Sequence, residues 1–524
     1  MLPFLFPKNS IHATIQTMNK NLKHIIIIGS GIGGLGTAAL LSKRGYQVTV
    51  LEKNATIGGR ANIFSADGFT FDMGPSWYLM PDIFEHFYEL MEEDISDHLN
   101  LVKLSPSYRV FFPGDEEYPV LDIHSDLSQD LETLEKLEPG VTPKIKKYLE
   151  RSGKQYALAK KSFMYRNYNS VLDFFKWDLA KEGRHMNPLQ TMEKYLNSWF
   201  SDDRLKKILE YTLVFLGSAP SKTPALYNIM NYIDFHYGVY YPKGGIYDIV
   251  KSLQNLCEKH NTLIRTDAAV DEILIENKTA VGVKLANGET ITADYVISNA
   301  DLHFTETQLI KDKKHQTYPE KFWDKAVMGP SAFIMYLGLN REVPNLTHHN
   351  LRFGQDWKKN FAEIFDNPQL PNDPSYYVCK PTHTDDHIAP DGQDILFTLV
   401  PIPAGLQVTE DMKKTYRDKI INMMKSDLDL PDLEESIVYE RSYWGDDFGR
   451  DYNAYKGTAL GMAHTLKQTL LRPGNKSKKV KNLFYTGAGT NPGIGMPICL
   501  ISAELAYKRI ENITHPNPLS DLNG

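Results

Sequence analysis

The sequence predicts an α/β fold built around a parallel sheet, accompanied by a second domain of mixed α+β character. Two observations carry this prediction. One glycine-rich turn lies between a short apolar strand and a helix near the amino terminus, and another lies between a strand and a helix near the carboxyl terminus. Parallel strands need a crossover connection such as a helix, so a strand, a turn and a helix in this order indicate a parallel sheet.

The amino-terminal turn is flanked by the elements of a complete βαβ unit. The apolar β-branched run His24–Ile28 predicts a buried strand, and GSGIGG at residues 29–34 matches the G-x-G-x-x-G pattern. The following residues have helical spacing, Gly45 supplies the helix stop, and Gln47–Leu51 predicts a second strand. The sequence therefore predicts a Rossmann-like unit that binds a dinucleotide.

Each glycine of this unit, and the acid that follows it, has a physical role in such a site. Gly29 permits the tight turn, and Gly31 lets the backbone approach a pyrophosphate at the helix amino terminus. Gly33 lies in the same turn, and Gly34 allows the helix to pack closely on the sheet. Glu52 can accept hydrogen bonds from ribose hydroxyls, and its charge disfavours NADP. The strand, the helix and the acid together argue against a turn without a ligand.

The residues after Glu52 indicate which dinucleotide binds. A glycine pair and an arginine occupy residues 58–60, and FDMGP occupies residues 71–75. This arrangement resembles the flavin-binding amine-oxidase and carotenoid-desaturase superfamily, in which the glycine pair and arginine extend the phosphate cradle and the FDxGP turn approaches the flavin. A solvated surface arginine would leave the glycine pair unexplained. The resemblance implies FAD as cofactor, bound in this stretch by Lys53, Gly59, Arg60, Asp72 and Gly74.

The carboxyl-terminal segment repeats the arrangement. Leu483–Tyr485 predicts a strand, and Met496–Ile510 has helical spacing with a proline in its first turn. GAGTNPGIGMP at residues 487–497 resembles the GAGTHPGAGxP motif of bacterial and fungal carotenoid desaturases, with Asn491 where histidine is common. The positive end of the helix would face the side of the flavin that gains negative charge on reduction. The resemblance implies further cofactor contacts from Gly487, Ala488, Gly489 and Met496.

Two more segments extend the resemblance over residues 23–510. YPKGGI at residues 241–246 is similar to the family's (F/Y)PxGG turn, and DF at residues 447–448 with NAYKGTALG at residues 453–461 is similar to its DF…NAYxGSAFG segment. The chain is thus identified as a member of the bacterial and fungal phytoene-desaturase type, within the carotenoid and retinoid oxidoreductases that include dehydrosqualene desaturases. The fold implied is an FAD-binding domain of the flavin amine-oxidase/glutathione-reductase-2 type with a mixed α+β substrate domain.

The resemblance implies an FAD-dependent oxidoreductase of carotenoid biosynthesis that acts on CH–CH groups. It would introduce conjugated double bonds into a C40 or C30 polyene, phytoene or dehydrosqualene, by hydride transfer to the flavin, with a quinone or oxygen as electron acceptor. Two alternatives stay open. One is a flavin oxidase of the same fold that acts on amines or porphyrinogens, and the other is a non-catalytic isoprenoid-binding protein of that fold.

The sequence locates a proton-transferring group only through the resemblance. No Ser/His/Asp or Cys/His arrangement for nucleophilic catalysis is evident. Glu150 and Lys154, one turn apart on a predicted helix, fall where some relatives carry an acidic and a basic residue, which implies a catalytic pair. Gly153 occupies the position where those relatives carry an arginine. An ordinary surface ion pair four residues apart is the alternative.

Composition and cysteine usage limit the other classes of function. The chain has 524 residues, 42% of them hydrophobic and 23% charged, which suits two or three packed globular units. A net charge of −7 without a basic aromatic cluster argues against nucleic acid as a partner. Cys257, Cys379 and Cys499 show neither a disulfide framework nor metal-ligand spacing. We therefore expect no metal and a cytoplasmic location.

The motifs also predict how the chain divides. Strands over residues 262–265, 269–276, 280–285 and 290–298 predict a compact β insertion with a turn at residues 287–288, and strands over 332–339 and 394–400 predict a second sheet. Residues 125–240 are helical by pattern. The predicted FAD-binding domain comprises residues 23–104, 241–301 and 476–510, the substrate domain comprises 105–240 and 302–475, and residues 1–22 and 511–524 form an extension and a tail.

The substrate class implied is insoluble in water, so the expected route to it is the membrane surface. The sequence contains no run of about eighteen apolar residues that could span a bilayer. Residues 1–17 have only a short apolar start broken by two prolines, which is not typical of an export signal. Residues 157–181 combine aromatic side chains with Lys160, Lys161, Lys176 and Lys181. This pattern predicts an amphipathic, membrane-facing surface and peripheral association.

Overall fold

A five-stranded parallel sheet, here called the parallel sheet, organises both glycine-rich turns. A computed structural model describes residues 22–169, 173 and 190–523. Each strand of this sheet runs parallel to the strands beside it. The strand order across it is Leu483–Tyr485, Tyr295–Ser298, His24–Ile28, Gln47–Leu51 and Leu263–Arg265. Strands from both ends of the chain therefore share one sheet, and the predicted α/β fold is confirmed.

The glycine-rich turns lead into helices that pack against each other. The helix Ile32–Lys43 is buried along nearly its whole length and contacts both Tyr247–Lys259 and Met496–Ile510. A helix covered on all sides can be apolar all round, which explains why its sequence lacks a polar face. Gly45, with a φ of +101°, follows it and lets the chain reverse into the next strand.

The predicted β insertion is present but smaller than expected. Val270–Glu276, Thr279–Leu285 and Thr290–Thr292 form an antiparallel three-stranded sheet, and Gly288 lies in its turn with a φ of +92°. The expectation of one strand over residues 290–298 is wrong. The chain leaves this sheet after Thr292 and joins the parallel sheet as Tyr295–Ser298, because its two halves pair with different neighbours.

A seven-stranded sheet forms the second layer. Its strands pair antiparallel except for Tyr108–Phe111 and His349–Arg352, which run parallel. The strand order is Ile437–Tyr443, Ser331–Leu339, Asp394–Ile402, Tyr376–Cys379, His349–Arg352, Tyr108–Phe111 and Val120–Ile123. The strands predicted over residues 332–339 and 394–400 are adjacent here. Two further antiparallel pairs occur among the described residues. Ile63–Ala66 and Phe69–Asp72 form a hairpin, and Leu101–Lys103 pairs with Tyr240–Pro242 from a distant part of the chain.

Helices cover these sheets and build most of residues 125–240 within the described part of the chain. The helices of eight or more residues are Ile32–Lys43, Pro81–Leu90, Leu127–Leu137, Val141–Ala159, Asp203–Glu210, Tyr247–Lys259, Trp357–Phe365, Glu410–Asp427, Gly445–Tyr452 and Met496–Ile510. Among the residues described, no helix combines the length and the apolar character needed to cross a membrane.

The structure describes the carboxyl-terminal end of the chain but not the first 21 residues. The predicted extension lies, up to residue 21, outside the described residues. The predicted tail is in contact with the core: Leu519 and Leu522 are buried, and the Tyr507 hydroxyl donates to the Leu522 carbonyl at 2.6 Å. The division into an FAD-binding and a substrate domain stays a prediction, although all five strands of the parallel sheet come from the segments assigned to the former.

Candidate cofactor and substrate site

The two glycine-rich turns meet directly at one edge of the parallel sheet. A Cβ added at Gly33 would come within 2.8 Å of the Gly487 Cα, closer than real Cβ atoms approach their neighbours. Gly33 must therefore remain glycine for the turns to touch. Residues separated by more than 450 positions in the sequence thus form one backbone cradle.

Asn299 joins these turns and was not singled out by the sequence analysis. Its amide Nδ2 donates to the Gly29 carbonyl at 3.4 Å, and its Oδ1 would lie within 2.3 Å of a Cβ at Gly487. Asn299 directly follows the buried strand Tyr295–Ser298, at the carboxyl edge where ligands bind in such sheets. Its position after a strand was the available signal.

Glu52 is held in place by the first glycine turn. One carboxylate oxygen accepts hydrogen bonds from the Ser30 amide at 2.9 Å and the Ser30 hydroxyl at 2.7 Å, and the other accepts from the Asn54 amide at 2.9 Å. The side chain is buried, yet it lines the cavity described below. The second of these oxygens, which accepts a single hydrogen bond, keeps a lone pair that can accept from a ligand hydroxyl.

The segment carrying the DF…NAYxG pattern closes over the same turn. The Lys53 ammonium donates to the Arg450 carbonyl at 2.6 Å, and the side-chain Nδ2 of Asn54 donates to the Asp451 carbonyl at 3.1 Å. The Arg60 guanidinium lies 5.8 Å from the centre of the Tyr452 ring. Motifs that are far apart in the sequence therefore contribute to one site.

A single cavity of about 900 Å³ begins at this cradle. Ten of the sequence-predicted cofactor residues line it: Gly29, Gly31, Gly33, Glu52, Lys53, Gly59, Arg60, Gly74, Ala488 and Met496. Four others, Gly34, Asp72, Gly487 and Gly489, do not line it. A Cβ at Gly34 would lie 2.1 Å from the Gly29 carbonyl oxygen, and one at Gly489 would lie 3.1 Å from the Leu302 Cβ, so these positions permit close packing behind the cradle.

Asp72 has a different position from the one expected. Its carboxylate accepts from the Ile246 amide at 2.7 Å and the Tyr247 amide at 3.1 Å, at the start of the helix Tyr247–Lys259. Burial raises the pKa of Asp72 to about 7, against the two backbone hydrogen bonds that lower it. Asp72 thus anchors the turn containing YPKGG, while the following Met73 and Gly74 reach the cavity.

The amino-terminal turn of the last helix also faces the cavity. Met496, Pro497, Ile498 and Cys499 all line it. The unpaired amides of a helix amino terminus carry partial positive charge. This end of the cavity therefore favours a ligand group on which negative charge develops.

Beyond the cradle the cavity is lined mainly by apolar and aromatic side chains. They include Leu79, Met80, Phe163, Met164, Leu226, Ile229, Met230, Ile233, Ile334, Leu351, Phe353, Trp357, Leu399 and Phe448. The carboxylates that line the cavity, among the described residues, are Glu52, Asp301 and Asp451, all close to the cradle. The apolar part thus offers burial along a length of ligand and, among the side chains described, no carboxylate for a cationic group.

Glu150 and Lys154 do not reach the cavity. Their side chains are 65% and 75% exposed and form an ion pair, with 2.6 Å between the Lys154 Nζ and a Glu150 carboxylate oxygen. Gly153, between them, faces inward, where a Cβ would come within 2.6 Å of the Tyr232 ring. Neither residue lines the cavity, and a catalytic role for the pair stays a prediction.

One group of described side chains has the composition of a metal site. One ligand atom from each of His348, His349 and Cys379 lies within 4.8 Å of the other two, and all three residues are buried. The Nδ1 atoms of the two histidines are hydrogen-bonded to the hydroxyls of Thr384 and Tyr377 at 2.8 and 2.7 Å. The expectation that the protein binds no metal stays a prediction.

The fold and the site together define a dinucleotide-binding oxidoreductase with a long apolar cavity. The chain belongs to the flavin containing amine oxidoreductase family, whose sequence profile matches residues 32–510. The resemblance identified from the motifs is thereby confirmed, and so is the flavin dinucleotide FAD as cofactor.

Characterised relatives match almost the whole chain. It is 42% identical over 494 residues to a carotenoid 3,4-desaturase of Haloarcula japonica, covering 93% of this chain and 98% of the relative. It is 34% identical over 503 residues to a zeta-carotene-forming phytoene desaturase of Myxococcus xanthus, covering 95% and 96%. A 4,4'-diapophytoene desaturase (4,4'-diaponeurosporene-forming) of Staphylococcus haemolyticus is 32% identical over 504 residues, covering 94% and 99%.

Solved structures share the fold at lower identity. An oxidoreductase from Methanosarcina mazei superposes with a TM-score of 0.60 at 20% identity, over 92% of this chain and 98% of that structure. At this identity the similarity establishes the fold alone.

The residues present fit an FAD molecule. The Arg60 Nε is buried and has no hydrogen-bond partner among the described residues, although a buried donor costs about 1–3 kcal/mol when it is left unpaired. Gly31, Gly33 and Gly59 leave the cradle beside Arg60 without side chains. A pyrophosphate in this cradle would supply the acceptor that the Arg60 Nε lacks, whereas Nη2 already donates to the Thr458 carbonyl.

Proposed function

We propose that the protein is an FAD-dependent carotenoid desaturase of the phytoene-desaturase type, acting on a C40 or C30 polyene. The observation that carries the proposal is the single cavity running from the glycine cradle into an apolar chamber whose described lining has no carboxylate. Such a chamber can hold an extended hydrocarbon by burial, whereas its described lining offers no carboxylate to pair with a cationic amine. The carotenoid desaturases among the relatives support the same substrate class.

Different residues would bind the cofactor and orient the substrate. Gly31, Gly33, Gly59 and Arg60 would hold the pyrophosphate, and Glu52 would accept hydrogen bonds from the adenosine ribose. When bound, FAD supplies a two-electron acceptor for a hydride. The helix turn beginning at Met496 would stabilise negative charge, and the apolar walls would place adjacent C–H bonds of the polyene and exclude water.

We expect a polyene, and no amine, to reduce the bound flavin. Under anaerobic conditions, phytoene or dehydrosqualene in liposomes should bleach the flavin absorbance while a red-shifted absorbance of a longer conjugated system appears. The physical reason is that only an extended apolar substrate fills the chamber. The measurement is single-turnover absorbance spectroscopy, with putrescine and an aromatic amine as controls.

The outcome separates the proposal from its alternatives. Reduction by an amine, with both polyenes leaving the flavin oxidised, would establish an amine oxidase and overturn the proposal. Reduction by a porphyrinogen alone would establish the second type of oxidase. A purified protein without flavin that binds isoprenoids would indicate a binding protein. We further propose that a quinone or oxygen reoxidises the reduced flavin.

We also propose a cytoplasmic enzyme that docks on the membrane surface, because its substrate dissolves in lipid. Residues 157–169 of the expected surface are described, and there Lys160 forms an ion pair with Asp82 and is less exposed than the pattern predicts. Lys176 and Lys181 lie outside the described residues, as do Phe174, Phe175 and Trp177. The proposal therefore depends on the substrate and on the amphipathic sequence pattern.

Sedimentation with liposomes tests this docking. We expect the protein to sediment with vesicles, to be released by detergent and to turn over polyene only when lipid is present, since interfacial binding follows buried apolar area. Bovine serum albumin mixed with the same vesicles serves as a control for trapping in the pellet. Full turnover of dispersed substrate in lipid-free buffer would contradict surface docking.

A further inference from the structure

A buried carboxylate lies directly behind one wall of the apolar chamber. Asp234 is 3% exposed and belongs to the π-helical turn Ile233–Tyr237, a type of turn that is frequent at functional sites. The Tyr108 hydroxyl donates to its Oδ2 at 2.9 Å, and the Tyr211 hydroxyl donates to the same oxygen at 3.0 Å. The other oxygen, Oδ1, is buried without a hydrogen-bond partner among the described residues.

The two tyrosines differ in one respect that matters for chemistry. Tyr211 lines the chamber, whereas Tyr108 does not. Tyr211 also packs against Trp77, with ring centroids 5.8 Å apart, and Trp77 lines the chamber two positions after Pro75 of the FDMGP turn. A hydrogen-bonded path therefore leads from the chamber wall beside the cofactor-binding turn to a carboxylate with an unoccupied oxygen.

Desaturation needs such a path. Removing a hydride from one carbon of the polyene leaves a cationic centre, and a proton must then leave the adjacent carbon so that its C–H electron pair completes the new double bond. Within the described lining, no carboxylate reaches the apolar part of the chamber to take that proton directly. The exposed Glu150–Lys154 pair lies outside the chamber as well.

We propose that Tyr211 and Asp234 accept the proton released in each desaturation. The substrate C–H proton passes to the Tyr211 Oη as the hydroxyl proton of Tyr211 moves to the Asp234 carboxylate, while the hydride and its two electrons pass to FAD. The net change is one carbon–carbon double bond, a reduced flavin and a protonated Asp234. Tyr211 is the catalytic residue of this relay, and Asp234 acts through it. The inference rests on the proposed function.

The surroundings of Asp234 suit a group that exchanges a proton near neutral pH. Burial raises the pKa of Asp234 to about 7, against the hydrogen bonds from Tyr108 and Tyr211 that lower it. Asp130, which is itself hydrogen-bonded to His124, adds a smaller upward contribution. Below pH 7 the carboxyl is protonated and cannot accept, so the relay is expected to slow as the pH falls.

Anaerobic flavin reduction by phytoene in liposomes, followed on both sides of pH 7, tests the relay. We expect Tyr211→Phe and Asp234→Asn to lower the rate by about 100-fold or more, the usual contribution of a positioned acid or base. Tyr108→Phe is the matched control, because it removes a hydrogen bond to the same Asp234 oxygen from a tyrosine that does not line the chamber. It should keep most of the rate above pH 7 and shift the pH midpoint upward, since the lost bond lowers the pKa of Asp234.

A second readout does not depend on turnover. Infrared spectra of the resting holoenzyme should show protonated carboxyl absorbance that grows as the pH falls through about 7. Asp234→Asn should remove one carboxyl from this transition, whereas Asp72 and Glu210, whose pKa values are also raised to about 7, should keep theirs. Flavin absorbance confirms that each variant is folded and loaded, and Asp234→Glu should restore the pH-dependent rate. If Asp234→Asn does not fold, Tyr211→Phe and Tyr108→Phe decide between the two outcomes.

Three results would overturn the relay. Equal losses of rate in Tyr108→Phe and Tyr211→Phe would assign Tyr108, Tyr211 and Asp234 a structural role. A wild-type rate in Tyr211→Phe would show that Tyr211 takes no part in the chemistry. An infrared transition that is the same in the wild type and in Asp234→Asn would show that Asp234 does not exchange a proton near neutrality. If one of these results is found and polyene still reduces the flavin of the wild-type protein, the desaturase proposal stands without the relay. If polyene does not reduce the wild-type flavin, the desaturase proposal and the relay proposal both fail.

Discussion

Gly31→Val is expected to yield a folded protein that has lost nearly all of its FAD. Gly31 has an ordinary backbone conformation, with a φ of −67°, so a side chain there causes no backbone strain. Its Cβ would lie 3.0 Å from the Asn299 amide nitrogen, and the branched side chain would extend into the cradle. Exclusion of the pyrophosphate should weaken FAD binding by at least about 100-fold, which corresponds to about 2.8 kcal/mol at about 1.4 kcal/mol for each tenfold change.

The measurement is the ratio of flavin to protein absorbance after gel filtration. Gly449→Val is a suitable control, because a Cβ at Gly449 meets no atom within 4 Å. Its helix, Gly445–Tyr452, contacts the cradle through later residues, but Gly449 itself does not line the cavity. Glu52→Ala should also lose FAD, through missing hydrogen bonds to the ribose. Wild-type flavin content in both Gly31→Val and Glu52→Ala would contradict the placement of the cofactor.

Ala159→Trp is expected to abolish polyene turnover while FAD stays bound. Ala159 lies at the end of the helix Val141–Ala159, is 4% exposed and lines the apolar part of the cavity. An indole there would occupy space that the proposed substrate needs, and the cradle residues do not belong to this helix. The measurement is anaerobic flavin reduction by phytoene, with flavin content and thermal unfolding recorded in parallel.

Ala157→Trp provides the matched control for this change. Ala157 lies on the same helix, two positions earlier, and is exposed. Its indole would not enter the cavity. Because Ala157 also begins the proposed membrane-facing surface, turnover is compared with the protein fully bound to vesicles, where it should remain near that of the wild type. Overpacking at Ala159 costs about 1–3 kcal/mol of stability, which unfolding measurements would register separately from activity. Normal turnover in folded Ala159→Trp would show that the polyene does not occupy this part of the cavity.

Local patterns were sufficient for much of the fold and for FAD as the cofactor, while the residues assigned to bind it stay predictions. The strands His24–Ile28 and Gln47–Leu51 and the helix Met496–Ile510 begin and end where the sequence predicts. Their apolar runs, glycines and first-turn proline act over a few neighbouring residues, so the information needed is contiguous in the chain. The same holds for Glu52, which directly follows its strand.

Sequence patterns do not show which residues lie opposite one another in the fold. Residues 290–298 form a continuous β pattern, but the pattern does not say that its two halves pair in different sheets. Asp72 belongs to a motif that reaches the cavity, yet its carboxylate turns to the helix Tyr247–Lys259. Glu150 and Lys154 are correctly spaced for an ion pair, and burial rather than spacing determines whether a pair reaches a cavity.

The sequence by itself determined the βαβ unit, the second glycine turn and the family, because each is written in adjacent residues. The tertiary structure alone decided that Gly33 and Gly487 touch, that Asn299 links the turns, and that Tyr211 connects the chamber to Asp234. These contacts join segments from several parts of the chain. Their existence depends on sheet order and helix packing, which local propensities and spacings do not specify.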